Sequence, residues 1–237
     1  MKTTISPFKS GAAVPEQAIV LIFDLEDFSK FSSQPDVHQY VHKFLNFVIE
    51  EIDKTINAAE PYWAVDIDDE PIALSKLPEV IHSKFLGDGA LYIWRYGDFT
   101  EQQKLDLLSV FWLFKLKFKR IVKKISEEIP LLEIPKKIRF GISAGTVHKL
   151  TYLNSLREEY IGYSINLASR LQNYCSEIGF IVSGRLNITS PDLEGGQYIK
   201  VVAQKIKGFP HEIVIIDQQE YEDLDKDIKQ QLFSPYN

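Results

Sequence analysis

Two kinds of apolar pattern alternate along the chain: continuous apolar runs, and apolar residues spaced as on one face of a helix. Residues 18–23 are apolar and rich in Ile and Val, as in a strand that is buried on both faces. After Pro35 and Asp36, apolar side chains recur at helical spacing for about five turns. Residues 100–128 show the same spacing in a longer helix that ends before Pro130. The pattern therefore predicts strands and helices packed in layers.

The other apolar segments predict further strands, several of them joined as hairpins. Residues 80–86 and 91–94 flank the turn Gly87-Asp88-Gly89, in which glycine supplies the turn conformations. Strands are also predicted at 138–144, 146–150, 180–182, 199–206 and 212–216, and helices at 161–175 and 218–233. This order predicts an α+β fold with a mixed sheet.

The pattern divides the chain into a central domain and two flanking parts. We predict an N-terminal extension at 1–17, one domain at 18–217 and an acidic, helical tail at 218–237. Residues 57–80 break the periodicity with prolines and an acidic patch at 66–70. We interpret 57–80 as an insertion.

Composition narrows the range of functions. The net charge of −6 argues against a general nucleic-acid binder, which usually carries a basic face. No apolar run approaches the roughly 20 residues of a membrane helix, and the polar N-terminus lacks a secretory signal. The single cysteine, Cys175, excludes an internal disulfide. We therefore expect a cytoplasmic protein without a membrane partner.

Two aspartates lie where a predicted buried strand meets a turn. Asp24 follows the first apolar run, and Asp88 precedes the run at 90–94. A carboxylate in such a place is paired, solvated or bound to a cation. Either aspartate alone could simply cap a turn. Two of them favour a site for divalent ions and a triphosphate, because Mg²⁺ prefers one or two carboxylates plus substrate oxygens.

The segment INLASRL adds an amide and a guanidinium to this inventory. Asn166 and Arg170 are four residues apart and share one face of the predicted helix. Arg170 offers a planar, permanent charge to a phosphate, and Asn166 can bind a ribose hydroxyl. An exposed polar helix face is the alternative. The turn at Asp27, Phe28 and Ser29 follows Asp24, and backbone N–H groups at such a turn can bind phosphate.

Five motifs in this order resemble the class III nucleotide cyclases. They are DLEDFS at 24–29, KFLGD at 84–88, IRFGI at 138–142 with Gly145, GYSINLASRL at 162–171, and Lys207-Gly208. Each motif is loose by itself. Their order and spacing hold from about residue 18 to residue 216.

The resemblance implies a ferredoxin-like cyclase domain, with helices flanking a mixed or antiparallel sheet, that forms a 3′,5′-cyclic nucleotide and pyrophosphate. Asp24 and Asp88 would hold two Mg²⁺ or Mn²⁺ ions per active site, assisted by the carbonyl of Leu25. Arg170 would stabilise charge on the α-phosphate, and Asn166 would position the ribose.

The resemblance also implies a homodimer with two composite active sites. The metal-binding aspartates would come from one subunit, and Asn166, Arg170 and the base-reading residues from the other. Lys207 would meet the terminal phosphates beside the turn that begins at Asp27. We expect no nucleic-acid polymer as a partner and no stable binding of a downstream effector.

The family positions that read the base correspond to Lys84 and Glu159. Lys84 excludes the guanylate cyclase pattern of Glu and Cys, while Glu159 is longer than the Asp or Thr typical of adenylate cyclases. Tyr160 and Tyr163 add bulk beside it, which favours a smaller, pyrimidine base. UTP is the preferred substrate and CTP the next. The same pair could also read adenine.

The predicted cyclase domain nearly fills the chain and contains the insertion. In both respects it resembles the pyrimidine cyclases of bacterial Pycsar anti-phage defence. That resemblance implies cyclic UMP or cyclic CMP as a second messenger, which would activate a separate effector.

Three other interpretations stay open. The protein could be an adenylate cyclase that makes cyclic AMP. It could be a non-catalytic cyclase-like module, although such relatives usually lose an Asp, the Asn or the Arg. It could also be a palm-type polymerase or diguanylate cyclase, but LGDGA at 86–90 has one acid where the diagnostic hairpin has two.

Overall fold

The computed structural model describes residues 13–64, 72–129, 133–152, 158–189, 193 and 197–236. The strands are β1 (Pro15–Leu25), β2 (His82–Phe85), β3 (Gly89–Arg95), β4 (Ile138–Thr151), β5 (Glu158–Gly162), β6 (Phe180–Ser183), β7 (Tyr198–Ile206), β8 (Phe209–Asp217) and β9 (Phe233–Pro235). The helices are α1 (Phe28–Ser32), α2 (Val41–Ile56), α3 (Glu101–Ser126), α4 (Tyr163–Gln172), α5 (Gln218–Asp223) and α6 (Lys226–Leu232).

Within the described ranges all nine strands belong to one sheet. Its order is β2-β3-β1-β4-β6-β8-β7-β9, and β5 pairs with β4 outside this path. β4 and β6 are parallel, whereas the other paired strands are antiparallel. The prediction of an α+β fold with a mixed sheet is confirmed.

β1 is the central strand, and it is buried on both faces as its apolar run predicts. Ile19, Leu21 and Phe23 face the large core that α2 and α3 cover. Ala18 and Val20 face the opposite side, where Ala168 of α4 packs. The sheet therefore lies between α2 and α3 on one face and α4 on the other.

Side-chain capping and backbone conformation set the first residues of the long helices. Thr100 caps α3, because its Oγ1 accepts a hydrogen bond from the Gln103 N–H (3.1 Å) and its N–H donates to Gln103 Oε1 (3.0 Å). The helix expected directly after Pro35 starts later, at Val41. Asp36 adopts a left-handed conformation (φ 60°), which a right-handed helix cannot continue.

The two strands expected at 138–144 and 146–150 are one continuous strand, β4. β1 pairs with it without interruption from Leu25 opposite Ile138 to Pro15 opposite His148. Gly145 lies within this ladder, opposite Ala18. The glycine therefore does not break the strand, because a single long neighbour holds both halves in register.

The helix expected at 161–175 is shorter, and a strand precedes it. Residues 158–162 form β5 against β4, so α4 begins only at Tyr163. Gly162 permits this close approach, since a Cβ there would lie 2.5 Å from the Thr146 carbonyl oxygen.

The C-terminal segment is built into the domain. The helix predicted at 218–233 is present as two short helices, α5 and α6. The sequence pattern did not predict the edge strand β9, which pairs with β7. The Tyr174 hydroxyl lies between the carbonyls of Gln204 and Leu232 and can donate its single proton to either of them. Residues 72–80 of the insertion form no helix or strand, and the acidic patch at 66–70 lies outside the described residues.

Candidate active site

The structure brings Asp24 and Asp88 together at one end of the sheet. Asp24 lies near the end of β1, opposite Gly89 of β3. The Leu25 N–H donates to the Asp88 carbonyl (3.0 Å), which holds the β2–β3 turn against β1. Burial raises the pKa of the Asp88 carboxyl, and the negative charge of Asp24 and a hydrogen bond with it raise that pKa further. The two carboxyl groups are therefore close neighbours at this end of the sheet.

The glycines of the turn make this convergence possible. Gly87 has φ 102°, a conformation that other residues adopt only with strain. A Cβ on Gly89 would lie 1.8 Å from the Phe23 carbonyl oxygen. Only glycine lets the hairpin approach β1 closely enough to place Asp88 beside Asp24.

Two donors that we did not assign from the sequence bind Asp24. The Asp24 Oδ2 atom accepts a hydrogen bond from Gln172 Nε2 (2.9 Å) and another from Arg139 Nη2. Arg139 stands in the IRFGI motif and is the cross-strand neighbour of Asp24, so strand register could have revealed it. Gln172 follows Arg170 by two residues and is buried, and no sequence pattern singled it out.

Close packing of α4 on β4 delivers Gln172 to this place. A Cβ on Gly141 would lie 2.1 Å from the Ala168 carbonyl oxygen and 2.5 Å from the Gln172 backbone nitrogen. The glycine of the IRFGI motif is therefore a contact surface for the helix. The polar end of α4 reaches Asp24 because the helix backbone rests directly on the strand.

The turn after Asp24 leads into α1. Asp27 is exposed and adopts a left-handed conformation (φ 62°), and α1 begins at Phe28. Ser29 is exposed as well, while Leu25 is buried at the end of β1. The residues predicted to bind triphosphate thus directly follow the Asp24 end of the sheet.

Asn166 and Arg170 occupy the outer face of α4. Both side chains are exposed, whereas Leu167 and Leu171 are buried on the inner face. Neither polar residue makes a hydrogen bond or an ion pair with another residue that the structure describes. The helix thus directs Gln172 toward Asp24 of its own chain and leaves Asn166 and Arg170 facing outward.

The two predicted base-reading residues form an ion pair. Lys84 Nζ lies 2.8 Å from Glu159 Oε2, and Glu159 is the more buried partner. Nearby, the rings of His82 and Tyr160 pack with centroids 5.0 Å apart. Burial lowers the pKa of His82, with opposing contributions from Glu159, which raises it, and Lys84, which lowers it. A lysine and a carboxylate from separate strands therefore meet at one place within a single chain.

Lys207 lies in the exposed turn between β7 and β8, followed by Gly208 with φ 86°. This turn lies close to the start of α4, because the rings of Phe209 and Tyr163 have centroids 4.4 Å apart. Tyr163 also accepts a hydrogen bond from Arg185 Nη2 (3.0 Å). The structure thus links the Lys207 turn to the helix that carries Asn166.

The donor set at the Asp24 end suits a divalent ion bound together with a substrate. Among the residues that the structure describes, no group of three or more His, Cys, Asp or Glu could hold a metal ion. Mg²⁺ commonly takes one or two carboxylates and fills its remaining positions with water and phosphate oxygens. The two neighbouring carboxylates fit that requirement, because a cation would relieve their mutual repulsion.

The fold is that of the class III nucleotide cyclases. The chain is similar to the adenylyl cyclase CyaB from P. aeruginosa, with TM-score 0.62, 18% identity, 91% of this chain and 98% of that one covered. It is also similar to the guanylyl cyclase Cya2, with TM-score 0.57, 19% identity and coverage of 86% and 92%.

A third solved structure, the guanylate cyclase domain of RhGC from Catenaria anguillulae in complex with GTP, matches with TM-score 0.53 and 16% identity. The chain covers 98% of that domain with 86% of its own length. No protein-family model and no curated protein sequence matches the chain. The likeness therefore rests on the fold. In the described part of the chain, no helix is long and apolar enough to cross a membrane.

Proposed function

We propose that the protein is a nucleotide cyclase that converts a pyrimidine nucleoside triphosphate to its 3′,5′-cyclic monophosphate and pyrophosphate. One observation carries the proposal: Asp24 and Asp88 lie next to each other at the end of β1, in the fold of the nucleotide cyclases. UTP is the preferred substrate and CTP the second choice.

The chain's own residues have distinct roles in this reaction. Asp24 and Asp88, with the carbonyl of Leu25, would hold two Mg²⁺ or Mn²⁺ ions. When bound, such ions polarise the attacking hydroxyl and neutralise charge on the phosphates. The turn at 27–29 and Lys207 bind the β- and γ-phosphates. Each residue acts by position and charge, as in other phosphoryl transfers.

Asn166 and Arg170 act at the reacting phosphorus. Asn166 orients the ribose so that the 3′-hydroxyl, as it loses its proton to solvent, forms a bond from its oxygen to the α-phosphorus while the bond to pyrophosphate breaks. Arg170 donates hydrogen bonds to the α-phosphate oxygens, where negative charge develops. Because both side chains are exposed and point outward from α4, we propose that they serve the Asp24 of a second subunit. The active enzyme would then be a homodimer with two composite sites.

The Lys84–Glu159 pair has the polar groups needed to read a pyrimidine. It presents a cationic donor and an anionic acceptor side by side, 2.8 Å apart. Lys84 can donate to the uracil O4 while Glu159 accepts from the uracil N3–H. Cytosine can be read by the same pair through N3 and its amino group, which makes CTP the second candidate.

A product assay with each of the four nucleoside triphosphates and Mn²⁺ tests the activity and the base choice together. We expect cyclic UMP as the main product. Cyclic AMP as the main product would contradict the pyrimidine proposal and support an adenylate cyclase. No cyclic product from any nucleotide would contradict the enzyme proposal and leave a nucleotide-binding module.

Mixing two inactive variants tests the composite site. Asp24→Asn and Arg170→Ala homodimers should each lose at least about 100-fold in turnover, as when transition-state contacts are removed. A heterodimer of the two contains one intact site, so an equal mixture should recover roughly a quarter of wild-type activity after subunit exchange. A mixture as inactive as its parents, with exchange verified, would contradict a shared site.

We propose a role in anti-phage defence for the cyclic pyrimidine product, as a second messenger read by a separate effector. The resemblance to Pycsar cyclases, which rests on the overall build of the predicted domain and its insertion at 57–80, supports this role. Cells that carry the protein with its effector should resist phage infection, and Asp24→Asn should abolish that resistance. Equal plaque counts with wild type and variant would contradict it.

A further inference from the structure

A basic cavity lies next to the candidate active site, at the end of the sheet where β4 and β6 begin. Its volume is about 260 Å³, and it lies between α3, residues 136–139 and the loop that joins α4 to β6. A cavity needs only about 10–15 Å³ of such volume to hold one water, so this space is large enough for a small hydrated anion. None of the functional roles above involves it.

Positive charge exceeds negative charge around this cavity. Five basic side chains line it, from Lys115, Lys119, Lys136, Lys137 and Arg139. Three carboxylates also line it, from Glu26, Glu177 and Glu220. The lining side chains therefore carry two more positive than negative charges, although Arg139 and Lys115 are also paired with the carboxylates of Asp24 and Asp217 behind the lining.

Two of the carboxylates are already paired with cavity lysines. Glu220 Oε1 lies 2.8 Å from the ammonium of Lys115, and Glu26 Oε1 lies 3.4 Å from that of Lys137. Glu177 accepts a hydrogen bond from the Ser176 hydroxyl (2.8 Å) and is the remaining negative charge.

The remaining basic groups are available to a ligand. Lys119 and Lys136 are exposed and form no ion pair with any residue that the structure describes. Both ammonium groups can therefore turn to an anion without breaking an existing contact.

Arg139 belongs to the cavity and to the active site at once. Its Nη2 donates to Asp24 Oδ2, while its Nε is buried and has no hydrogen-bond partner among the described residues. Because Arg139 lines the cavity and its Nη2 is bound to Asp24, an anion in the cavity would compete with Asp24 for this guanidinium.

We propose that this cavity is a regulatory site for a phosphate-type anion, held by Lys119, Lys136 and Arg139. The bound anion draws Arg139 away from Asp24 and leaves that carboxylate freer to bind a divalent cation. The site rests on charge and cavity geometry alone, and only its effect on turnover rests on the proposed function.

Calorimetric titration of the full chain, without metal, tests the binding. Inorganic phosphate should bind the wild type, and the double variant Lys119→Gln/Lys136→Gln should bind it at least about 10-fold more weakly, because two charge-assisted contacts are lost. Lys226→Gln removes one exposed lysine from α6, outside the cavity, and should bind like the wild type. UMP, titrated in parallel, distinguishes free phosphate from a nucleotide phosphate as the ligand.

Two results would overturn the site. One is phosphate affinity that is absent in the wild type or unchanged in the double variant. The other is loss of phosphate binding in Arg170→Ala, which would place the anion at the candidate active site. Binding that survives in Arg170→Ala and falls in the lysine variant supports the cavity.

The regulatory effect has a separate readout. Phosphate should lower the Mg²⁺ concentration that gives half-maximal turnover in the wild type and leave it unchanged in Lys119→Gln/Lys136→Gln. An equal response in both proteins would contradict the link through Arg139. If no nucleotide is cyclised, the proposed function fails while the calorimetric result still decides whether the site exists.

Discussion

Lys84 and Glu159 form an ion pair between β2 and β5 of one chain, with Nζ and Oε2 2.8 Å apart. The two residues are 75 positions apart in the sequence. In the proposed function this donor and acceptor would bind one edge of the base. The contact also keeps both charges paired in the absence of substrate.

Glu159→Gln should change the choice of base. The amide can still accept a hydrogen bond, but it has no charge and no longer pairs with Lys84. We expect kcat/KM for UTP to fall about 10- to 100-fold, since a site that reads polar groups discriminates strongly against imperfect pairing. Measurement with UTP, CTP and ATP gives the specificity directly.

Glu158→Gln is the matched control for that experiment. Glu158 is the neighbouring carboxylate on β5 and pairs with Lys149 at 2.6 Å, so its loss should leave the three kcat/KM values nearly unchanged. If both variants lower all three values equally, Glu159 does not read the base.

Asp88→Asn should alter how stability depends on pH when metal is absent. The folded protein raises the pKa of Asp88 above its ordinary value of 3.8, through burial and the charge of Asp24. A raised carboxyl pKa contributes stability that is present below the unfolded pKa and is lost as pH rises through the folded pKa. The wild type should therefore lose this contribution above about pH 4, and Asp88→Asn should not.

Thermal unfolding in chelator, between about pH 4 and pH 7, measures the difference between the two proteins. Asp98→Asn, which removes an exposed carboxylate from the short turn after β3, should follow the wild type. If the unfolding temperatures of the wild type and Asp88→Asn change equally with pH, the two carboxylates do not interact.

Gly141→Ala should separate α4 from β4. The added methyl group would lie 2.1 Å from the Ala168 carbonyl oxygen, and helix backbone cannot move as a flexible side chain does. We expect a loss of about 1–3 kcal/mol in the free energy of unfolding, as in other overpacked sites. Turnover should fall as well, because Gln172 would move away from Asp24.

Gly97→Ala provides the control, since a Cβ there has no neighbour within 4 Å. Urea unfolding of both variants measures the difference. If Gly141→Ala is as stable as Gly97→Ala, the close contact between α4 and β4 does not exist in solution.

Glu212→Gln should weaken the hydrogen-bond network that reaches Tyr163 at the start of α4. Glu212 is buried and accepts hydrogen bonds from the Ser183 hydroxyl (2.7 Å) and from Nε and Nη2 of Arg185 (2.7 and 3.0 Å). The same Nη2 donates to the Tyr163 hydroxyl (3.0 Å). We expect a loss of about 1–3 kcal/mol, because the amide cannot accept at both ends.

Tyr163→Phe removes only the outermost hydrogen bond and keeps the ring contact with Phe209, so it should cost less than about 0.5 kcal/mol. Urea unfolding compares the two variants. Equal losses would mean that the buried carboxylate contributes no more than the exposed hydroxyl.

Local pattern was sufficient for much of the fold. The apolar run at 18–23 predicted a strand buried on both faces, and the repeat at 100–128 predicted α3, because burial and helical spacing are properties of neighbouring residues. Local pattern failed for segments whose conformation depends on pairing with another strand. β5 and β9 are short, and each exists through pairing with a longer strand, β4 or β7. The sequence pattern also divided β4 into two strands at Gly145. In the structure Gly145 pairs with β1, so β4 is continuous.

The residues and their order were enough to show which chemical groups the protein carries and where strands meet turns, and so to select Asp24, Asp88, Asn166 and Arg170 as candidates. They could not show that the two aspartates are neighbours, that Arg139 and Gln172 bind one of them, or that Asn166 and Arg170 face outward. The groups that meet are distant in the chain. These contacts depend on strand register and on the close packing of α4 at Gly141, and both are set by residues far apart in the chain.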